Sequence, residues 1–373
     1  MSELQEICSY AKGKTNVSEL TLTNYISTEN MLPNKSGIVN ATSLPTTATT
    51  QEYLKNDILV SNIRPYFKKI WYATEKGGCS NDVLVFRAKE NIDSKFLYYL
   101  LADDAFFEYS MATSKGTKMP RGDKLSIMQY NVPDFDLTTQ KQIASILSAL
   151  DDKIELNNRI NENLEQQAQV IFKSWFVDFE PFGGVMPEDW KVGMIKDIIE
   201  LHDSKRIPLS GSEREKMDKI YPYYGATSCM DYVDNYIFDG KYLLLGEDGT
   251  VIDKNGYPIL QYVEGKFWVN NHAHIITGKL GYTVEILYLL FKQTNVKHIV
   301  TGAVQPKISQ ANLKKVPVTI PNIKDLDAFN NIIQPIFAMI RKNRNENEKL
   351  ALLRDTLLPK LMNGEINVSK VKI

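Results

Sequence analysis

Thr138-Thr139-Gln140-Lys141-Gln142-Ile143 opens a stretch that continues to Phe179 without a glycine or a proline. Within it Ile143, Leu147, Leu150, Ile154, Leu164, Ala168, Ile171 and Trp175 recur at alternating steps of four and three. That spacing marks a helix that packs along a seam. Asn157 and Asn161 fill the two seam places left over. The stretch predicts a helix of roughly 40 residues, about 60 Å long at 1.5 Å per residue.

The same pattern returns 186 residues later. Ile336, Ile340, Leu350, Leu357 and Leu361 keep the four-three spacing, and Asn343 and Asn347 stand where Asn157 and Asn161 stood. Arg354 takes the place of Ala168, with Leu353 beside it as an apolar substitute. Pro335 predicts a kink or a late start for this second helix. Buried seam asparagines lower stability but fix register, because a slipped register leaves the amide unpaired. Asn157 is therefore expected near Asn347, and Asn161 near Asn343, in an antiparallel pair related by a pseudo-two-fold axis.

The repeat extends upstream. Gly116-Thr117-Lys118-Met119-Pro120 is echoed by Gly302-Ala303-Val304-Gln305-Pro306, and Val132-Pro133 by Val316-Pro317. Phe96-Leu97-Tyr98-Tyr99-Leu100-Leu101 resembles Ile286-Leu287-Tyr288-Leu289-Leu290-Phe291. A duplicated chain of globular domain, long helix, globular domain, long helix follows. The divisions are 1–136, 137–180, 181–324 and 325–373, with Pro181–Pro187 as the clearest linker. Both globular domains read as mixed α/β, or α+β. Strands are expected at 57–61, 82–86, 242–245 and 274–276, and short helices near 94–101, 103–110 and 283–292.

The composition, 43% hydrophobic and 24% charged, is that of a soluble globular protein. No apolar run is long enough to span a membrane, and the N-terminus lacks the basic-then-apolar order of a signal peptide. Cys8, Cys79 and Cys229 are widely separated, which fits a reducing cytoplasm and gives no metal-ligand spacing. A net charge of -1 argues against a protein that grips DNA unaided. It permits DNA binding where the basic groups share one face or partners share the phosphates.

Catalytic motifs are sparse. Lys12-Gly13-Lys14-Thr15 resembles the end of a phosphate loop, but Cys8 stands where that loop needs glycine. No dinucleotide fingerprint and no Asn-Pro-Pro-aromatic or Asp-Pro-Pro-aromatic tetrapeptide is present, so methylation by this chain is not expected. Asp189-Trp190-Lys191 has the acid-x-lysine spacing of some nucleases, and His272-x-His274 would place two imidazoles on one strand face. The expectation is nonetheless no catalytic residue and no metal site. Gly246-Glu247-Asp248-Gly249 reads as a turn whose acids could accept from a cytosine amino group.

Basic residues mixed with aromatics and amides carry the positive signal. The first domain offers Asn62, Arg64, Tyr66, Lys68 and Lys69, then Ser114, Lys115, Thr117, Lys118 and Arg121. The second offers Lys205, Arg206, Tyr223, Tyr224, Asn270, Asn271, His272, Gln305 and Lys307. Lysine and arginine neutralise phosphates, and arginine also clamps a guanine edge. A nuclease acting alone and a coiled-coil assembly protein remain open as other readings.

Across nearly its whole length the chain resembles type I restriction-modification specificity subunits. The resemblance rests on Asn56-Asp57-Ile58-Leu59-Val60-Ser61-Asn62-Ile63-Arg64-Pro65, on Gln142-Ile143-Ala144-Ser145-Ile146-Leu147-Ser148-Ala149-Leu150-Asp151-Asp152-Lys153-Ile154, on Pro187-Glu188-Asp189-Trp190-Lys191 and on Leu358-Pro359-Lys360-Leu361-Met362-Asn363-Gly364-Glu365-Ile366. One departure is that the first domain begins without a tryptophan-containing lead like that around Trp190. The resemblance implies two target recognition domains on double-stranded DNA and two modification subunits docked on the paired helices. It places S-adenosylmethionine on those partners and no cofactor on this chain. Where motor subunits join, they use ATP and magnesium; a methylation-only complex lacks them.

A two-part DNA site needs readers at a fixed separation, and one turn of B-DNA is about 34 Å. Deleting one heptad from each long helix is therefore expected to change the gap between half-sites while leaving the half-sites as they are. Methylation mapping reads this directly, and an unaltered gap would refute the helices as the ruler.

Overall fold

The computed structural model describes residues 2–302 and 304–368; Met1, Ala303 and the last five residues of the expected C-terminal region lie outside the described residues. The chain divides into two units. One comprises Met1–Leu156 with Glu346–Ile373, the other Asn157–Asn345. The division falls within two helices of equal length, Leu137–Phe176 and Ile323–Met362, each of 40 residues, so each unit owns a part of each helix.

The two helices start alike. The Asp136 side chain accepts from the Thr139 N–H, and the Asn322 side chain, 186 residues on, accepts from the Asp325 N–H. Both satisfy a donor that the first helical turn leaves open. The expected late start at Pro335 is not observed: the helix begins at Ile323 and runs through the proline. Pro335 and Asn331, whose carbonyl loses its partner there, are both exposed, so water can bond that carbonyl. Ile333, Phe337 and Ile340 on the buried face hold the helix in place.

In the first unit a four-stranded antiparallel sheet has the order Cys8–Tyr10, Val83–Ala88, Ile58–Ser61, Ile70–Tyr72. Side chains alternate between its faces. Ile58, Val60, Leu84 and Phe86 point into a core shared with the helices Ser94–Ala102 and Asp104–Ala112. Ile143 and Leu147 of the central helix and Leu358 and Leu361 of the C-terminal helix belong to the same core. Leu59, Val83 and Val85 face a smaller core beneath a second sheet built from Lys14–Asn16, Thr49–Tyr53, Gly77–Cys79 and Tyr25–Ile26. Burial on both faces explains why Ile58-Leu59-Val60 is apolar throughout. Lys14-Thr15-Asn16 is a strand paired with Thr49–Gln51, not the start of a helix, so Lys12–Thr15 cannot form a phosphate loop.

The second unit repeats this plan. The order Ile199–Leu201, Ala273–Gly278, Phe238–Gly246, Leu260–Val269 matches the first sheet strand for strand, and Tyr221–Tyr224 and Cys229–Val233 extend it to six. Leu59 opposite Val85 becomes Leu244 opposite Ile275. The helix Val284–Gln293 lies as Ser94–Ala102 does, with Thr283 and Asp93 as their caps. Before each sheet a strand pair closes the unit, Ser2–Glu3 with Asn131–Val132 and Lys191–Met194 with Pro317–Ile320. The Leu4 N–H donates to the Tyr130 carbonyl as the Ile195 N–H does to Val316. Val316 is thus the counterpart of Tyr130, and the match of Val132 to Val316 drawn from sequence is corrected by two residues to Val318.

Within each unit the helix halves run antiparallel. In the first, Asp151 meets Arg354 at 2.7 Å and Lys153 meets Glu346 at 3.6 Å. In the second, Phe172 packs on Phe329, and the Asn343 amide donates to the Asn161 side-chain oxygen at 2.9 Å, as the heptad pattern predicts. Arg354 itself occupies its seam place, because Asp151 neutralises it, and Leu353 does not substitute but stays 46% exposed. Asn157 and Asn343 are buried.

A buried carboxylate fastens the second sheet to the C-terminal helix. Glu285 is 1% exposed and takes bonds from Lys241 at 3.1 Å, Tyr262 at 2.8 Å, Gln334 at 3.1 Å and Arg341 at 3.0 Å. Burial opposes its ionisation, but these donors outweigh burial and hold its carboxyl below the ordinary range. Its contribution is therefore complete above the unfolded value, about 4.3, and is lost as pH falls through the lower folded value. Glu285→Ala is expected to cost about 3 kcal/mol. Glu285→Gln should flatten the acid limb of the stability profile, and urea unfolding across pH 3–7 checks both; an acid limb that Glu285→Gln leaves unchanged would contradict this role.

Candidate nucleic-acid interface

In the first unit the chain leaves the strand Ile58–Ser61 into a loop that carries Asn62, Arg64, Tyr66, Lys68 and Lys69. The loop cannot wander. Arg64 and Lys68 both have left-handed backbones, with φ of 51° and 50°, around a short 3-10 turn at Pro65–Phe67. The Arg64 N–H donates to the Pro120 carbonyl at 2.8 Å, and the Gly122 N–H donates to the Asn62 carbonyl at 3.2 Å. These bonds join it to the second basic segment. That segment is closed by a reciprocal pair of backbone bonds between Lys115 and Arg121, of 2.9 and 3.0 Å, with Ile63 bridged to Arg121. Two clusters about 50 residues apart in sequence therefore form one surface.

On that surface Tyr66, Phe67, Thr117, Lys118 and Met119 are exposed. Lys115 pairs with Asp123, and Arg121 with Asp82 at 3.2 Å, while both keep more than half of their side chain in water. Such exposed pairs are worth little, so a phosphate can displace the carboxylate. Lys68 and Lys69 are placed differently. Lys68 shares Asp104 with Lys35, at 2.8 and 2.7 Å, and Lys69 donates to the Thr28 carbonyl at 2.6 Å. Burial lowers the pKa of Lys69. These two lysines brace the loop from beneath. Ser114 donates to the Met111 carbonyl and ends the preceding helix.

The second unit has the same closure. Thr301 and Lys307 exchange backbone bonds of 2.9 and 2.7 Å, again 186 residues after Lys115 and Arg121, and Asp248 is bridged to Lys307 as Ile63 is to Arg121. Val304 and Gln305 stand exposed at the tip of this loop. Lys205 and Asn271 are exposed nearby in the fold's loop layer, and Lys307 keeps about half of its surface while pairing with Glu247 at 3.1 Å.

Several other residues expected at this surface are structural, which corrects the sequence reading. Arg206 is turned inward. It donates to Glu247 at 2.6 Å, to the carbonyls of Asn271 and Ala273 at 3.2 and 2.8 Å, and to the Asp203 carbonyl at 3.0 Å. Tyr223 is a core residue, 2% exposed, whose hydroxyl accepts from the Leu209 N–H. Tyr224 is half-buried and packs edge-on against Phe267. Asn270 is buried and caps its turn by accepting from the His272 N–H at 2.8 Å. Exposure could not be read from residue type: a tyrosine-rich strand and a tyrosine-rich surface have the same letters.

The metal and acidic-loop readings fail on the same network. His272 lies in the turn before the strand, so it shares no strand face with His274, and its Nδ1 meets Asp248. His274 is wholly buried, with Nδ1 on Asp203 at 2.6 Å and Nε2 on the Ile308 carbonyl at 2.7 Å. Asp203, Glu247 and His274 are the one cluster of three potential ligands among the described residues. Both imidazole nitrogens there already face oxygens, and Arg206 fills the carboxylate side. Glu247 is likewise committed, to Arg206 and Lys307, and Asp248 pairs with His272. Asp189 accepts from Asn322 at 2.7 Å, and Lys191 lies on a paired strand.

Sequence reading missed the counter-charges Asp82, Asp104 and Asp203, and the turn at Asn34 and Lys35. The N–H groups of that turn donate to the Phe67 and Lys68 carbonyls at 2.8 and 2.9 Å. Its Pro33-Asn34-Lys35-Ser36-Gly37 composition is a turn signal, but the loop it supports is about 30 residues away in sequence.

Burial opposes ionisation of Asp203, yet the bond and charge from His274, the Ile275 N–H and Arg206 hold its carboxyl low. Its contribution is present at neutral pH and fades as pH falls below the carboxylate range. Arg206→Ala strands Asp203 and Glu247 and is expected to cost about 3 kcal/mol. Lys205→Ala should stay within about 0.5 kcal/mol. Denaturant unfolding separates them, and an Arg206→Ala protein of undiminished stability with weakened DNA binding would return Arg206 to the interface.

Comparison with known proteins adds an independent line. The family described as type I restriction modification DNA specificity domain matches residues 1–166 and again 187–353. The type I restriction enzyme MjaIX specificity subunit of Methanocaldococcus jannaschii is 27% identical over 308 residues, 76% of this chain and 71% of its own length. The HindI specificity subunit of Haemophilus influenzae is 26% identical over an alignment covering 92% of this chain and 94% of its own. Among solved structures, the type I restriction-modification S subunit from M. genitalium superposes with a TM-score of 0.58 at 18% identity, over 97% of this chain and 95% of that one, which shows the shared fold.

Proposed function

The chain belongs to the type I restriction-modification DNA specificity family and serves as a DNA sequence-specificity subunit, and from that premise we propose how it reads its site. Each unit reads one half of a two-part double-stranded DNA site with its pair of joined loops. The observation that carries this is the recurrence of the closure, Lys115 to Arg121 and Thr301 to Lys307, on matching frameworks with different side chains at the tips. Matching frameworks present two readers; differing tips make the site asymmetric. In the first unit Lys115, Lys118 and Arg121 neutralise phosphates, and in the second Lys205 and Lys307 do so.

The chemistry belongs to partners. Two modification subunits dock on the paired helices, bind S-adenosylmethionine and methylate DNA; where motor subunits join, they bring ATP and magnesium. Exposed apolar side chains along the long helices support docking: Leu156 and Leu352 in the first unit, Val170 and Met339 in the second. No described helix is long and apolar enough to cross a membrane. With a net charge of -1, this chain relies on its partners to share the phosphate contacts.

Changing Lys115, Lys118 and Arg121 together to Ala is expected to weaken DNA binding by the complex. Each lost phosphate contact should reduce the magnitude of the salt slope by about 0.9. Gel shifts across a salt series measure it. Wild-type affinity with an unchanged slope would rule out this surface.

A further inference from the structure

We propose that Arg64 reads a guanine in the half-site bound by the first unit and is the residue that specifies that base pair. The proposal rests on the DNA-specificity reading above and goes further, to one side chain and one base.

Every other half-buried arginine among the described residues grips a carboxylate. Arg87 holds Asp57, Arg206 holds Glu247, Arg214 holds Asp231, Arg341 holds Glu285 and Arg354 holds Asp151. Arg64 is half-buried as they are, yet its guanidinium has no carboxylate; its Nε is buried without a hydrogen-bond partner, as that of Arg214 also is. The side-chain oxygen of Asn62, two residues earlier in the same loop, is also buried without a partner. Partly desolvated polar groups left unpaired cost free energy, and a guanidinium with no carboxylate of its own keeps its terminal donors available to a ligand.

The backbone fixes where that guanidinium starts. Arg64 has a left-handed φ of 51°, its N–H is bound to Pro120, its carbonyl accepts from the Phe67 N–H at 3.0 Å, and Pro65 follows. A non-glycine residue held in that conformation beside a proline marks a position that the surrounding loops over-determine. Phosphate contacts are well served by long, exposed chains, and Lys118 beside it is one. A rigid, half-buried fork suits a target of fixed shape. With Nε enclosed, the open edge is the pair of terminal nitrogens. These match the two acceptors, O6 and N7, that guanine alone presents in the major groove.

The test uses the full chain assembled with its modification partners. Methylation mapping first gives the wild-type site. Arg64→Ala is then expected to lose the guanine requirement at one position of the first half-site, lowering discrimination there about tenfold to hundredfold, with the second half-site unchanged. Lys118→Ala should instead weaken all sequences equally. As a second measurement, which on the wild-type protein needs no variant to fold, each guanine of the first half-site is replaced in turn by 7-deazaguanine, which lacks N7. One replacement should weaken binding by wild type; with a folded Arg64→Ala protein the same replacement should have no further effect. A half-site without a sensitive guanine, or an Arg64→Ala complex that is uniformly weaker with its site unchanged, overturns the assignment. A wild-type complex that recognises no defined site would refute the specificity reading itself, a separate result.

Discussion

A helix of 40 residues cannot bury its apolar stripe by itself, and a four-stranded sheet with two apolar faces cannot cover both. Each half of this chain solves the two problems together. In the first unit the sheet's short helices and Ile143, Leu147, Leu358 and Leu361 form one core. In the second, Ala168 and Phe172 meet Phe329, Ile333 and Ile340 beneath Leu243, Leu245 and Ile276. Neither unit is a domain resting on a helix; the helix pair is part of each hydrophobic interior. Register within the pair therefore sets the shape of the core above it, and the Asn161–Asn343 bond and the Asp151–Arg354 pair carry that register in the second and first unit respectively.

A small set of charged groups is built into the framework. Asp57 with Arg87, Asp203 and Glu247 with Arg206, and Glu285 with Lys241 and Arg341 are framework. Breaking any of them strands a partner, which is why they hold loops and sheets so firmly. Lys118 and Lys205 are different: both are exposed cations carried on loops. With a net charge of -1, bulk charge alone does not draw this chain to a polyanion.

Much of this was legible in the letters because periodicity is local. The four-three spacing located both long helices, and the paired asparagines revealed the duplication and one contact within it. Short strands such as Ile58–Ser61 were visible as apolar runs bounded by turns. The pairing of 62–69 with 114–121 was not visible, because it is made by backbone bonds such as Arg64 to Pro120, to which side-chain identity contributes little. The inward turn of Arg206 was hidden for another reason. Its acceptors Asp203, Glu247 and the Ala273 carbonyl come from three separate segments, and an arginine in a loop reads the same whether it faces water or carboxylates. Pro335 misled in the opposite direction, since one missing hydrogen bond on an exposed face is a small loss against a buried stripe on the other.

The two closures, Lys115 to Arg121 and Thr301 to Lys307, have a consequence for how such a protein changes. Each pins the ends of a short tip with main-chain bonds that any residue except proline can make. Within each tip the glycine and the proline recur, Gly116 and Pro120 in one and Gly302 and Pro306 in the other, while the residues between them differ without disturbing the strands and helices that carry them. Because both tips are the same length and end on equivalent frameworks, a segment copied from one half into the other would meet ends that fit. The scaffold separates what must stay from what can be rewritten, so side chains at the tips can be exchanged in small cassettes without remodelling the fold.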